Sequence, residues 1–336
     1  MTCHQIRMTL ALVLCLGFLL EVVHAEPNGG AKAAPVDLNE IEPLRSKPLY
    51  EFTEAEVDRY LRYLQTNEPD LRKRIIHLAR KNLGQPYELY LLGEMPFEPY
   101  DPQPIYCLSK SDCLVYSEHT YAMALSRDWP GFMALLQRIR YRDGRLGVVT
   151  RNHFTEADWN VSNRWLVEDI TTQLAGDRVV VYQQKVDRAR FFRNRYQLEV
   201  DIPVESHRDT FLPVEHVDLA KPHLADGDFV NIVRGYPGSQ AGKNEIFGGS
   251  AWVGHVGLVV HGQDGVVNMI HSTKPQVREE PLDDYIARSL ENADDAENAK
   301  KPRLLGFKFF RLRDDPLANL QKIDGPDAPV VTLPKG

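Results

Sequence analysis

The order in which two hydrophobic periodicities occur constrains this chain most. From Thr53 to Leu83 the apolar residues Val57, Tyr60, Leu61 and Leu64, then Leu71, Ile75, Ile76, Leu78, Ala79 and Leu83, recur at helical spacing, broken once at Asn67-Glu68-Pro69-Asp70. Asp70 is placed to cap the second helix. A helix from Cys113 to about Ser126 follows, capped by Ser111 or Asp112, and another runs from Gly131 to Tyr141. Beyond about Arg178 the pattern changes to short apolar runs that read as strands: Val179–Gln183, Phe229–Val233, His255–Val260, Val266–His271 and Leu305–Leu312. Helices first and strands later predict an α+β fold, with the cysteine helix packed on an antiparallel sheet, and not alternating α/β.

The chain divides by composition. A start carrying Arg7 precedes an apolar run from Met8 to Val23, and Val23-His24-Ala25 puts small residues where a signal peptidase reads. Residues 1–25 are therefore expected to be a signal peptide, with an exported protein, periplasmic or secreted, as the consequence. The run is too short for a membrane span, so no stable membrane insertion is expected after cleavage. Residues 26–52 read as a flexible leader, 53–83 as a helical extension, 84–313 as one catalytic domain and 314–336 as a tail. Gly84 to Lys110 holds five prolines and little periodicity, and long irregular segments of this kind are often functional. The formal net charge of −7 excludes a basic nucleic-acid surface as the basis of function.

Without residues 1–25 only Cys107 and Cys113 remain, which is no disulfide framework. Either one is kept for reactivity or the two close a small bridge. Cys113 falls in the first turn of its helix, where unpaired backbone N–H groups favour a thiolate and can hold an oxyanion. Downstream, Gln263-Asp264-Gly265 fits a three-residue hairpin loop with glycine at the left-handed position, pairing Gly262 with Val266. That register sets Gly257 opposite His271, so His271 lies diagonal to His255 on one face. Cys113 then reads as nucleophile, His255 as base and His271 as the group that orients the base. No cofactor is required. The same three residues are good zinc ligands, but no closely spaced ligand pair anchors a metal site, so none is expected.

Four segments resemble a known family. Leu83-Gly84-Gln85-Pro86-Tyr87 looks like a Gly-x-Pro-Tyr stretch upstream of the nucleophile, and Asp112-Cys113 with Glu118 looks like an Asp-Cys-x-x-x-x-Glu helix start. Asn152-His153-Phe154 through Trp159, with Glu168-Asp169-Ile170-Thr171, is similar to the segment after the second helix; Gly227-Asp228-Phe229, His255-Val256-Gly257 and His271-Ser272 are similar to the sheet part. Together they resemble papain-like cysteine peptidases of the NlpC superfamily, and within it the N-acetylmuramoyl-L-alanine amidase-like family. The resemblance implies peptidoglycan fragments or muropeptides as partners, a triad of Cys113, His255 and His271, and substrate contacts from Tyr87, Asp112 and Trp159. Trp165, Arg151 and Arg164 join Trp159 as candidates for specificity. The alternatives are a γ-D-glutamyl-diamino acid endopeptidase using the same triad, and a non-catalytic wall-binding module.

Overall fold

The helices start where the sequence supplies caps. The computed structural model describes residues 37–89, 91, 104–236, 251–294 and 301–324. Helix α1 spans Leu38–Ser46, and α2 (Glu54–Asn67) opens on a capping box in which Thr53 and Glu56 satisfy each other's backbone N–H groups. Asp70 caps α3 (Leu71–Lys81), accepting from Lys73 N at 3.0 Å. Helix α4 (Cys113–Leu125) is buried all round from Val115 onward, and α5 (Trp129–Arg140) packs beside it.

Among the described residues, eight strands form one sheet: β1 (Val167–Asp169), β2 (Val180–Val186), β3 (Glu205–Pro213), β4 (Phe229–Gly235), β5 (Ala251–His261), β6 (Val267–Ser272), β7 (Val277–Pro281) and β8 (Arg303–Leu312). Their order is β2-β3-β8-β4-β5-β6-β7, with β1 also on β8, and every pair is antiparallel. The α+β expectation agrees with this architecture. One face of the sheet carries Phe229, Val256, Leu258, Ile270 and Phe310 against α4; the other carries Val230, Ile232, Val259, Met269 and Phe309.

The leader expected over residues 26–52 is ordered from Leu38: Ile41 and Leu44 of α1, then Leu49 and Phe52, enter the same core as Tyr116 and Tyr121 of α4. The extension at 53–83 is likewise part of that core, through Val57, Tyr60, Leu61 and Leu64, and all described residues fall within one compact unit. The tail contains a helix, Pro316–Asp324, that buries Leu320. The signal segment, residues 26–36 and much of the Gly84 to Lys110 segment lie outside the described residues. Among the described residues, no helix is long and apolar enough to cross a membrane.

The hairpin has the expected register. Leu258 pairs with Ile270 and His261 with Val267, Gly262 N donates to Val266 O at 2.9 Å, and Gly265 adopts φ 79°. Upstream, Ile232 faces His255 while Val233 faces Val253, which leaves Gly254 as a bulge beside the histidine. A side chain at Gly254 would run into Arg234, its Cβ 2.9 Å from Cδ.

Candidate active site

Cys113 is held from both sides of its helix start. The Asp112 carboxylate accepts from Val115 N at 2.8 Å, so this predicted substrate contact serves as the N-cap. One residue earlier, buried Ser111 sets its Oγ 2.6 Å from Gln85 Oε1 and 3.0 Å from Ser272 Oγ. Ser272 Oγ in turn donates to Ser111 O at 2.8 Å, and Gln85 Nε2 to Leu108 O at 2.6 Å. Ser272 directly follows His271, so one buried polar network fixes the nucleophile helix and the histidine strand to each other. Tyr87 lies alongside, bridged to Ser111, with its backbone N–H donating to Pro275 O at 3.0 Å.

The histidines meet as the diagonal register requires. His255 Nε2 and His271 Nδ1 are 2.6 Å apart, and His271 Nε2 is 2.7 Å from Glu280 Oε1. Glu280 is the functional residue that sequence reasoning missed. It pairs with Met269 across β6 and β7, which puts it diagonal to His271 just as His271 is diagonal to His255. Arg278 Nε donates to it at 3.1 Å and Arg288 reaches both of its oxygens, at 2.6 Å and 2.7 Å. Burial alone would raise the Glu280 carboxyl, but hydrogen bonds from His271 and Arg288 hold it below the ordinary carboxylate value. A second missed residue, Tyr285, lies with its ring nearly parallel to His255, at 11°, and edge-on to His271.

This chain of contacts assigns the protons. Ionised Glu280 only accepts, so His271 carries its proton on Nε2 and offers a lone pair at Nδ1. His255 therefore donates from Nε2, which leaves its Nδ1 as the basic nitrogen. Burial pushes His255 well below the usual imidazole range, with the neighbouring His271 and Arg234 adding to the effect; burial lowers His271 too, against the opposing pull of Glu280.

The helix start alone predicts a thiolate, and the structure reverses that balance. Burial, then the Asp112 charge, pushes the Cys113 thiol up to about 12, against the backbone N–H groups of Val256, Leu114 and Cys113 itself. The sulfur thus sits beside the residue that follows His255; among the described residues no hydrogen bond joins thiol and imidazole. Cys107 and Cys113 are both free thiols, so the small bridge is not formed. Among the described residues, no group of three or more His, Cys, Asp or Glu side chains is arranged to hold a metal ion.

Trp159 is elsewhere. It is fully buried, stacks on Phe229 at 4.5 Å, and donates from Nε1 to Glu118 Oε1 at 3.1 Å. Glu118 also pairs with Arg140 Nη2 at 2.7 Å, so Glu118 and Trp159, from two of the resembling segments, tie α4 to the core around it. Trp165 and Arg151 are buried as well; Arg164 is exposed.

Residues 77–290 match the model of the AmiA-like family, described as N-acetylmuramoyl-L-alanine amidase-like. No curated protein matches the chain. Among solved structures, a Legionella pneumophila protein from a family named as a domain of unknown function is similar over 77% of this chain and 94% of its own, with a TM-score of 0.64 and 18% identity. A Bacteroides uniformis N-acetylmuramoyl-L-alanine amidase is similar over 72% of this chain and 99% of its own, with a TM-score of 0.52 and 18% identity. At such identity the likeness is one of fold.

Proposed function

This chain belongs to the N-acetylmuramoyl-L-alanine amidase-like family, and from that premise we propose that it is an exported cysteine hydrolase of the NlpC papain-like type, cleaving the amide between muramic acid and L-Ala in peptidoglycan. The observation that supports the cysteine mechanism is the directed relay from Glu280 through His271 to His255, which leaves Nδ1 as the basic nitrogen of the residue next to Val256, whose backbone N–H bonds the Cys113 sulfur. Hydrogen bonds in unliganded active sites are commonly long and tighten when substrate arrives.

The raised thiol and lowered imidazole favour a neutral resting pair. Proton transfer then accompanies attack: His255 Nδ1 takes the Cys113 proton as sulfur bonds to the lactyl carbonyl carbon. Backbone N–H groups at the start of α4 and at Val256 face the negative charge that develops. The intermediate collapses as His255 returns its proton to the leaving L-Ala nitrogen, giving a thioester and a free stem peptide. Water, deprotonated by His255, attacks the thioester and restores the thiol. The test is product identity by mass spectrometry after digestion of N-acetylmuramyl tripeptide. A free stem beginning with L-Ala supports the amidase. Sugar retaining L-Ala-D-Glu, with a free diamino acid, replaces it by the endopeptidase.

A further inference from the structure

Gly254, the bulge residue before His255, makes room for a side chain from the neighbouring strand. A Cβ there would stand 2.9 Å from Arg234 Cδ, 3.2 Å from Cγ and 3.3 Å from Cβ, so the Arg234 stem fills the place a larger residue would claim. The guanidinium then donates from Nη2 to the Tyr285 hydroxyl at 3.0 Å. Among the described residues this is the hydrogen bond that fixes the Arg234 charge beside the relay.

Tyr285 comes from the helix Leu282–Asp294 and is buried. Its ring centre lies 6.3 Å from that of His255, with the planes at 11°, and 5.6 Å from that of His271, with the planes at 83°. At 6.3 Å the ring is just outside the roughly 6 Å reach of a cation–π contact, so it opposes tilting of His255 more than it stabilises an imidazolium. Arg288, three residues on and so on the same side of the helix, sets its guanidinium 5.7 Å from the Tyr285 ring and pairs with Glu280. One helix thus touches the relay twice, at the base and at the carboxylate.

The charged and titratable groups around His255 come from every neighbouring element. They are Arg234 on β4, His271 on β6, Arg278 and Glu280 on β7, Tyr285 and Arg288 on the helix, Cys113 at Val256 N, and Glu156, which accepts from Val253 N at 3.3 Å. Burial comes first in disfavouring the imidazolium, then His271, then Arg234; Glu280 opposes them and Arg278 adds to them. Arg234 makes no hydrogen bond to the relay among the described residues, so its charge can be removed with His255, His271 and Glu280 still joined. Resting on the reading of His255 as base, we propose that Arg234 and Tyr285 are positioning residues acting as one clamp. Tyr285 fixes the plane of the His255 ring, and Arg234, held by the Tyr285 hydroxyl, keeps that ring uncharged until Cys113 gives up its proton.

The test reads His255 itself, by NMR of the full chain with 13C in its histidine rings; the His255 signal is the one lost in His255→Gln. Arg234→Met keeps the stem and loses the charge, whereas Tyr285→Phe keeps the ring and loses the hydroxyl. At pH 5 the displacement of the His255 signal toward the imidazolium position should be about threefold larger in each, equivalent to about half a pH unit in proton affinity. Because the two residues act as one clamp, the double mutant should go no further than either alone. Tyr285→Leu removes the plane and should lower kcat for stem release from N-acetylmuramyl tripeptide about tenfold with KM unchanged. A Tyr285→Phe protein displaced no more than wild type overturns the clamp, even with a lowered Tm, and so do displacements that add in the double mutant. Tyr285→Leu with wild-type kcat overturns the positioning role. Wild-type protein that releases no stem overturns the amidase reading instead, and the titrations, read without substrate, still decide the clamp.

Discussion

The Glu280 charge is the part of the relay that can be removed with least disturbance. Glu280→Gln keeps an acceptor for His271 if the amide oxygen takes the place of Oε1, where His271, Arg278 and Arg288 all donate. Orientation is then preserved and only the negative charge is lost. That charge stands one hydrogen bond and one ring beyond His255, roughly 7 Å from the imidazolium that forms during attack. At an effective dielectric of about 20 the interaction is worth about 2.4 kcal/mol. This corresponds to about a fiftyfold fall in kcat. Stability should change little by comparison. Arg278 and Arg288 are partly exposed and screened by solvent, so each ion pair contributes about 0–1 kcal/mol. Glu280→Ala removes the acceptor as well, frees the His271 tautomer, and should cost at least a further tenfold. The assay is kcat for stem release from N-acetylmuramyl tripeptide, with Tm measured on the same preparations. A folded Glu280→Gln protein within threefold of wild-type kcat would refute the claim that this carboxylate acts on His255.

Three further outcomes follow from burial. With its thiol pushed up to about 12, Cys113 should react with iodoacetamide about a thousandfold more slowly at pH 8 than a small thiol of ordinary pKa, accelerating about tenfold per pH unit; a plateau below pH 8 would mean a preformed thiolate–imidazolium pair. Trp159→Leu should lower Tm by removing a fully buried ring, a loss of about 2–4 kcal/mol, yet leave KM unchanged; a raised KM with unchanged Tm would return Trp159 to the substrate site. His119 is held well below the imidazole range by burial, then by Arg140, and its Nε2 has no partner among the described residues. The unfolded chain therefore binds a proton there that the folded one refuses, so stability falls as pH drops through about 6.5. His119→Phe should flatten the slope of Tm between pH 7.5 and 5.5, and an unaltered slope contradicts this source of acid sensitivity.

What was legible in the sequence was whatever a local device encodes. The Asp70 and Asp112 caps start α3 and α4, and the loop ending at Gly265 sets the register that brings His255 to His271. The relay's end was not legible, because Glu280 lies on a strand reading Val-Arg-Glu-Glu-Pro, whose charges hide its alternation. Only its pairing with β6 makes the position meaningful. β3 escaped for a similar reason: its first half, Glu-Ser-His-Arg-Asp, carries no apolar pattern. Trp159 shows the converse limit, since an aromatic on a motif reads the same whether it faces substrate or Phe229. The state of Cys113 also depends on burial, which the helix start does not disclose.

The central claim is that Cys113 carries the acyl group during turnover. Wild-type protein quenched in acid during digestion of N-acetylmuramyl tripeptide, then cleaved and analysed by mass spectrometry, tests it directly. The account predicts that the peptide containing Cys113 gains the mass of N-acetylmuramic acid less one water, that the adduct decays once substrate is exhausted, and that Cys113→Ala neither labels nor turns over. Undiminished turnover by Cys113→Ala, with the wild-type Cys113 peptide unmodified throughout, would contradict it.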